Sequence, residues 1–144
     1  MWRLKKQRGS ALLEFALTGL LLSASLTGVI SIGWNAYIYD ALVTRVTDGA
    51  RYASRMDCDG ETPSVADYKA SVQKFVVYGN PSGGTSAVLP NLTTTNVNVQ
   101  LNNASANPTV LVSITGYTVG IGSLGAFTLI DRPSVTMPYA GYCN

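Results

Sequence analysis

Residues 10–39, SALLEFALTGLLLSASLTGVISIGWNAYIY, contain one charged side chain, the carboxylate of Glu14. A helix of about 20 apolar residues crosses the hydrocarbon core of a bilayer, and this stretch is longer than that. We therefore predict a membrane-spanning helix over about residues 10–33. Trp34, Tyr37 and Tyr39 then fall where an aromatic belt would lie at the outer face of the membrane.

The positive charge of the chain is concentrated before this stretch. Four of the ten basic residues, Arg3, Lys5, Lys6 and Arg8, precede Gly9, and the other six are outnumbered by eight acidic residues that all follow it. Since basic residues flanking a membrane helix stay on the cytoplasmic side, the cluster predicts a cytoplasmic N-terminus and an extracytoplasmic C-terminal part. The same distribution argues against a nucleic-acid partner, because no basic patch follows the cluster.

The helix is predicted to continue beyond the membrane. Apolar residues recur at three- and four-residue steps, which is the pattern of an amphipathic helix that packs on a globular domain; they are Tyr39, Leu42, Val43, Val46, Ala50 and Ala53. Arg45, Asp48, Arg51 and Arg55 lie mostly off this stripe. Turn-forming residues follow Met56, so we expect one long helix over residues 10–56.

Residues 57–144 are predicted to form a small extracytoplasmic α+β domain. A second helix is expected from about Ser64 to Tyr78, with Ser64 and Asp67 as a capping box. Three stretches rich in β-branched residues follow and predict an antiparallel sheet of three or four strands; they start at Val97, Thr109 and Ser134. The predicted fold is therefore a long N-terminal membrane-spanning helix packed on a small antiparallel sheet, with one additional helix.

The chain has two cysteines, Cys58 and Cys143, and no histidine. Two cysteines in a domain that faces an oxidising compartment predict a disulfide, and a reduced compartment would leave two free thiols instead. Two cysteines without histidine do not predict a metal site.

Glu14 is the feature of the span that requires an explanation. A charged side chain at the centre of a membrane helix costs about 2.5–3.5 kcal/mol, and such residues are candidates for function. Glu14 lies close to the cytoplasmic end, so its cost is lower, and an interfacial position without special function is the alternative. The wider pattern is more specific: basic residues, then Gly9, four uncharged residues, Glu14, Phe15 and a long apolar helix.

This pattern resembles the class III signal of type IV pilins and pseudopilins. The resemblance implies that residues 1–9 are a leader peptide, which a membrane-embedded aspartyl prepilin peptidase removes by cutting between Gly9 and Ser10. Glu14 would become the fifth residue of the mature chain. Its carboxylate and the new ammonium group of Ser10 are both costly in lipid, and pairing between neighbouring subunits would recover part of that cost. Glu14 and Phe15 are therefore candidate residues for the register of assembly.

The stretch DALVTRVTDGARYAS, residues 40–54, is similar to the region after the membrane helix of TadE-like pseudopilins, which carry a "GARYA"-type motif. These proteins are minor components of tight-adherence (type IVc, Tad/Flp) pili in bacteria. The resemblance covers roughly residues 3–55 and implies a non-enzymatic function in adhesion or secretion. It also implies the bacterial inner membrane or an assembled pilus as location, and other pilin subunits and the assembly platform as partners. The outer domain is larger than the Flp-type major pilin, which favours a minor pilin.

Two alternatives compete with a pilin. A secretory signal peptide would use Ser23-Ala24-Ser25 as its cleavage site, but a carboxylate inside its apolar region and the continuation of that region argue against it. An uncleaved single-pass anchor that carries a binding domain also fits the apolar stretch.

Neither catalysis nor a cofactor is expected. The chain has no histidine for a catalytic triad, and GIGSLG at residues 120–125 is not followed by the helix and acidic residue of a dinucleotide site. Asp57, Asp59 and Glu61 do not have the ligand spacing of an EF-hand. We interpret these two segments as a glycine-rich loop and an acidic turn.

Overall fold

The computed structural model describes residues 4–57, 64–102, 107–120 and 125–141. Within them the chain forms two α-helices, a short 3-10 helix and five strands. Their bounds are α1 Leu4–Arg55, α2 Val65–Tyr78, the 3-10 helix Thr94–Asn96, β1 Val97–Asn102, β2 Thr109–Ile114, β3 Thr118–Gly120, β4 Ala126–Thr128 and β5 Ser134–Pro138.

Helix α1 runs without interruption through both the apolar stretch and the amphipathic stretch. The apolar stretch is exposed along most of its length, and the amphipathic stretch forms one wall of the core. Leu42, Val46, Ala50 and Ala53 of the predicted stripe are fully buried. The N-terminal end of the stripe differs from the prediction, because Ile38 is buried whereas Tyr39 is 42% exposed.

Helix α2 starts where its sequence predicts. The Ser64 hydroxyl accepts a hydrogen bond from the Asp67 backbone N–H, and the Asp67 carboxylate accepts one from the Ser64 N–H, so the capping box is complete. The helix packs against α1 and β1. Val65 in its first turn is exposed, and Phe75 is half-buried.

Five strands form two antiparallel sheets. The first has the order β1-β2-β5, with Val99 opposite Val112 and Val112 opposite Val135. The second consists of β3 and β4. The β-branched stretch that starts at Thr109 was predicted as one strand, but it forms β2 and β3, which lie in different sheets. Gly116, with φ 72°, adopts a left-handed backbone conformation that favours glycine, and it lies at the break between the two strands.

The core lies between the outer half of α1, helix α2 and one face of the three-stranded sheet. Val110, Val112 and Ile114 of β2 are fully buried there. Full burial of one such aliphatic side chain stabilises the fold by about 1.5–3 kcal/mol. Because α1 supplies a wall of this core, the domain is built directly on the helix that contains the apolar span.

The α+β class, the long apolar N-terminal helix, the second helix and the small antiparallel sheet are therefore confirmed. The division of the chain into a leader (residues 1–9), a long helix (10–56) and an extracytoplasmic domain (57–144) remains a prediction.

Candidate functional site

Gly9, Ser10, Glu14 and Phe15 all lie in the first turns of the described part of α1. All four are exposed, and Phe15 is 78% exposed. Glu14 follows Ser10 by four residues, so both project from the same side of the helix. Among the side chains that the structure describes, which start at residue 9, none forms an ion pair with the Glu14 carboxylate. The described part of the chain thus presents a single carboxylate, without an ion-pair partner, on an apolar helix surface.

The helix from residue 10 to residue 33 is about 36 Å long at the usual rise of 1.5 Å per residue, which exceeds the roughly 30 Å of a bilayer core. The apolar part has a mean hydropathy of 1.9, and none of it is buried within the fold. Large side chains such as Leu22 and Val29 are about as exposed as Phe15. A helix with these properties fits a single-pass membrane anchor.

Four hydroxyl groups inside the apolar stretch are satisfied by the helix itself. The Thr18, Ser25 and Thr27 hydroxyls donate to backbone carbonyl oxygens four residues earlier, at 2.8–2.9 Å. Ser23 donates to the Leu20 carbonyl oxygen, three residues earlier. These bonds lower the cost of polar groups in lipid, where no water replaces them. Glu14 differs from these residues because its carboxylate has no such local partner among the described residues.

The cationic cluster is described only in part. Arg3 lies outside the described residues, whereas the backbone of Lys5, Lys6 and Arg8 belongs to α1. The cluster therefore continues directly into the apolar helix. The cytoplasmic location of the N-terminus, which the cluster predicts, remains a prediction from the sequence.

Both Cys58 and Cys143 lie outside the described residues. Described residues shortly before each of them are adjacent, however. The Tyr139 hydroxyl donates to the Met56 carbonyl oxygen at 3.1 Å, and the Ala140 N–H donates to the Ser54 carbonyl oxygen at 3.1 Å. Residues a few positions before each cysteine are thus held together, and the pairing remains a prediction that this proximity supports.

Two aromatic residues mark the junction between the apolar span and the domain. The Trp34 and Tyr37 rings pack with their centroids 5.7 Å apart, and both residues are about 60% exposed. A groove of about 350 Å³ is lined by Trp34 and by residues of β3. Exposed aromatic side chains at this level are typical of a membrane–water interface.

A second groove, of about 410 Å³, lies further out between α1 and α2. Tyr52 and Phe75 stack at its wall with centroids 4.6 Å apart. Asp48, Arg51 and Arg55 line it as well. The groove is therefore lined by both charged and aromatic side chains.

Buried tyrosine hydroxyls connect the elements of the domain. The Tyr68 hydroxyl donates to the Ala53 carbonyl oxygen at 2.7 Å, and the Tyr117 hydroxyl donates to the Pro90 carbonyl oxygen at 2.9 Å. Burial raises the pKa of both hydroxyls, and the nearby hydroxyls of Tyr139 and Tyr52 raise the pKa of Tyr68 further. No residue pattern in the sequence predicts these bonds, although buried tyrosines generally find such partners.

No group of three His, Cys, Asp or Glu side chains among the described residues could hold a metal ion. Asp59 and Glu61 of the acidic turn lie outside those residues, and so does the middle of the glycine-rich loop at 121–124. Gly120 ends β3, and Gly125 directly precedes β4.

Comparison of this chain with protein-family models, with curated proteins and with solved structures gave no match. Its function must therefore be inferred from its own residues and their geometry.

Proposed function

We propose that this chain is a TadE-like minor pilin or pseudopilin, which a prepilin peptidase processes and which is assembled into, or primes, a type IVc pilus. The observation that carries the proposal is the Glu14 carboxylate, exposed on an apolar helix without an ion-pair partner among the side chains that the structure describes from residue 9 onward. A second subunit can supply the missing positive charge. Lipid, by contrast, offers the carboxylate no compensating charge within the hydrocarbon core.

Processing at Gly9–Ser10 would create that charge. The new ammonium group of Ser10 would stand at the N-terminus of α1, where the helix dipole is already positive. An isolated ammonium is unfavourable there in lipid, and so is an isolated carboxylate at Glu14. Contact between Ser10 of one subunit and Glu14 of a neighbour reduces both costs at once. A wrong register leaves both groups unpaired, so the pair selects the order of subunits.

The remaining features support a pilin-like architecture. The exposed half of α1 provides the membrane-embedded and later filament-forming segment, and its buried half carries the domain. In this proposal the N-terminus is cytoplasmic, the domain is extracytoplasmic, and the chain resides in the bacterial inner membrane before assembly. Its partners are the peptidase, other pilin subunits and the assembly platform.

The test is the mature N-terminus. The full chain is expressed in cells with and without their prepilin peptidase, and intact mass and N-terminal sequencing are measured. A chain that starts at Ser10 only in the presence of the peptidase supports the proposal. A start at Leu26 would make it an exported protein, and an intact N-terminus in both strains would favour a membrane-anchored binding domain.

The effect of Glu14 on assembly is tested separately. E14Q retains the size of the side chain and removes the charge, so it should be processed at Ser10 but excluded from filaments. T18V is the matched control, because the Thr18 hydroxyl is bonded to its own helix, at the Glu14 carbonyl oxygen. Normal assembly of E14Q would contradict the proposed function of the carboxylate.

A further inference from the structure

The outer half of α1 has a second face that the domain does not cover. Four residues of this face are exposed and lie within roughly 60° of one another around the helix axis. They are Asp40, Thr44, Arg51 and Arg55, and we refer to them as the outer stripe. The outer stripe lies opposite the buried face of α1, and Arg51 and Arg55 at its far end also border the groove between α1 and α2.

The charges of the outer stripe are separated along the helix. Its end nearest the apolar span carries Asp40, and its far end carries Arg51 and Arg55. Asp40 and Arg51 are eleven residues apart, which is about three complete turns and about 16 Å along the axis. They therefore share a face, but they are too far apart to form an ion pair with each other. Neither side chain has an ion-pair partner among the described residues.

We propose that the outer stripe binds the outer stripe of a second copy of this chain, displaced by about 16 Å along the helix axis. This inference rests on the proposed function, because the two copies are parallel when both are inserted into one membrane. Two parallel copies in register would place Asp40 next to Asp40 and Arg51 next to Arg51, which is repulsive. A displacement of eleven residues instead places Asp40 of one copy opposite Arg51 of the other.

The displacement also aligns a second pair of positions. Thr44 of the raised copy then lies opposite Arg55 of the lower one, because these residues are again eleven positions apart. Asp48 is not part of the outer stripe, because it is half-buried, although it borders the same groove as Arg51 and Arg55.

This contact is distinct from the pairing of Ser10 with Glu14. Four residues of helix rise about 6 Å, whereas eleven residues rise about 16 Å. The outer stripe therefore contacts a neighbour that is displaced further along the filament axis. Subunits that remain side by side in a flat membrane cannot make the contact, so the stripe favours the staggered arrangement over association before assembly.

Zero-length chemical crosslinking tests the staggered arrangement of the two copies. In R51K a carbodiimide can join the introduced amine directly to a carboxylate in contact with it. Full-length R51K is expressed in cells that contain the peptidase, the other pilin subunits and the assembly platform, and mass spectrometry identifies the links formed in assembled filaments. A zero-length link between residues 40 and 51 joins two copies, because these positions are about 16 Å apart along one helix. We expect a link between Asp40 of one copy and the introduced amine of another. R45K is the matched control, because Arg45 is half-buried and lies off the outer stripe.

Charge reversal provides the second measurement. D40R and R51D should each lower the co-purification of tagged and untagged copies by about tenfold, because like charges then face each other. The double variant D40R/R51D should restore it. Both positions are exposed, so the fold is preserved.

The mature N-terminus, measured in the same samples, separates the two proposals. Correct processing without the expected link in R51K, or without rescue in the double variant, overturns the stripe contact and leaves the proposed function intact. A link to a different pilin subunit only would also overturn it. Absence of processing overturns the proposed function.

Discussion

The Tyr68 hydroxyl donates a 2.7 Å hydrogen bond to the backbone carbonyl oxygen of Ala53, and this bond joins α2 to the last turn of α1. Both residues are fully buried. The Ala53 carbonyl belongs to the C-terminal end of its helix, where backbone oxygens lack a partner within the helix. Tyr68 therefore satisfies a buried helix end and positions α2 on α1.

This bond predicts that the fold loses stability in alkaline solution. Burial raises the pKa of Tyr68 above its usual value of 10.0, so the hydroxyl ionises more readily in the unfolded chain. The stability that this group contributes is complete below pH about 10 and falls above it, because the unfolded state then binds fewer protons. The slope is about 1.4 kcal/mol per pH unit from one such group. Chemical denaturation of the full chain in detergent, followed by near-ultraviolet circular dichroism across this range of pH, measures it.

Y68F separates the hydrogen bond from the titration. At neutral pH it should lower the free energy of unfolding by about 1–3 kcal/mol, because the Ala53 carbonyl loses its partner. In alkaline solution its stability should fall less steeply than that of the native chain. Y37F is the control at neutral pH, since Tyr37 is 61% exposed. An unchanged alkaline slope in Y68F would show that another group causes the loss.

Gly49 lies against the buried Val76 side chain, and a Cβ at residue 49 would collide with Val76 Cγ2. Overpacking of this kind costs about 1–3 kcal/mol, whereas alanine gains up to about 1 kcal/mol in helix propensity. We therefore expect G49A to destabilise the domain by about 1 kcal/mol in denaturation experiments.

A double-mutant cycle tests this origin. In G49A/V76A the collision is removed, so the combined cost should be smaller than the sum of the two single costs. G33A is the control on the same helix, because a Cβ there meets nothing within 4 Å. Strict additivity would mean that the Gly49–Val76 contact is not the cause.

The capping box of α2 predicts a smaller effect. S64A removes the hydroxyl that accepts from the Asp67 N–H and should cost about 0.5–2 kcal/mol of stability. S82A, in the exposed turn after α2, is the matched control and should be neutral. Equal denaturation midpoints for S64A and the native chain would contradict the importance of the cap.

The proximity of the residues before Cys58 and Cys143 predicts a disulfide. The two thiols should resist alkylation until a reductant is added. Replacement of both by serine should cost roughly 4–5 kcal/mol in the chain-entropy model. C58S and C143S alone should each cost as much as the double variant, because either one opens the same loop. Alkylation of the folded chain without reductant would contradict the pairing.

Local patterns in the sequence were sufficient for the helices. The apolar stretch and the stripe through Leu42 and Ala53 predicted α1, and Ser64 with Asp67 predicted the start of α2. These signals depend on residues a few positions apart, where periodicity and capping determine the structure. The strands β1, β2 and β5 were likewise visible as stretches of β-branched residues.

Such local patterns do not predict contacts between residues that are distant in the sequence. The break at Gly116 was missed because the Gly116 N–H donates to Leu129 and the Leu129 N–H to Tyr117, contacts between residues distant in the sequence. Ile38 was missed because it lies within the aromatic stretch assigned to the membrane interface. For the candidate site, the position of Glu14 on an apolar helix could be predicted, and so could the placement of Arg51 and Arg55 off the buried stripe, but the groove between α1 and α2 that these two arginines line required the structure.

The continuity of α1 has a mechanical consequence. The helix that carries the apolar span also supplies a wall of the core, through residues such as Leu42 and Val46. No loop separates the two parts of this helix, so a pull on the domain is transmitted to the anchor through the helix backbone. Rotation or displacement of the domain is therefore expected to move the apolar span as well. Extraction of the apolar span from a bilayer would therefore displace the helix and the domain together.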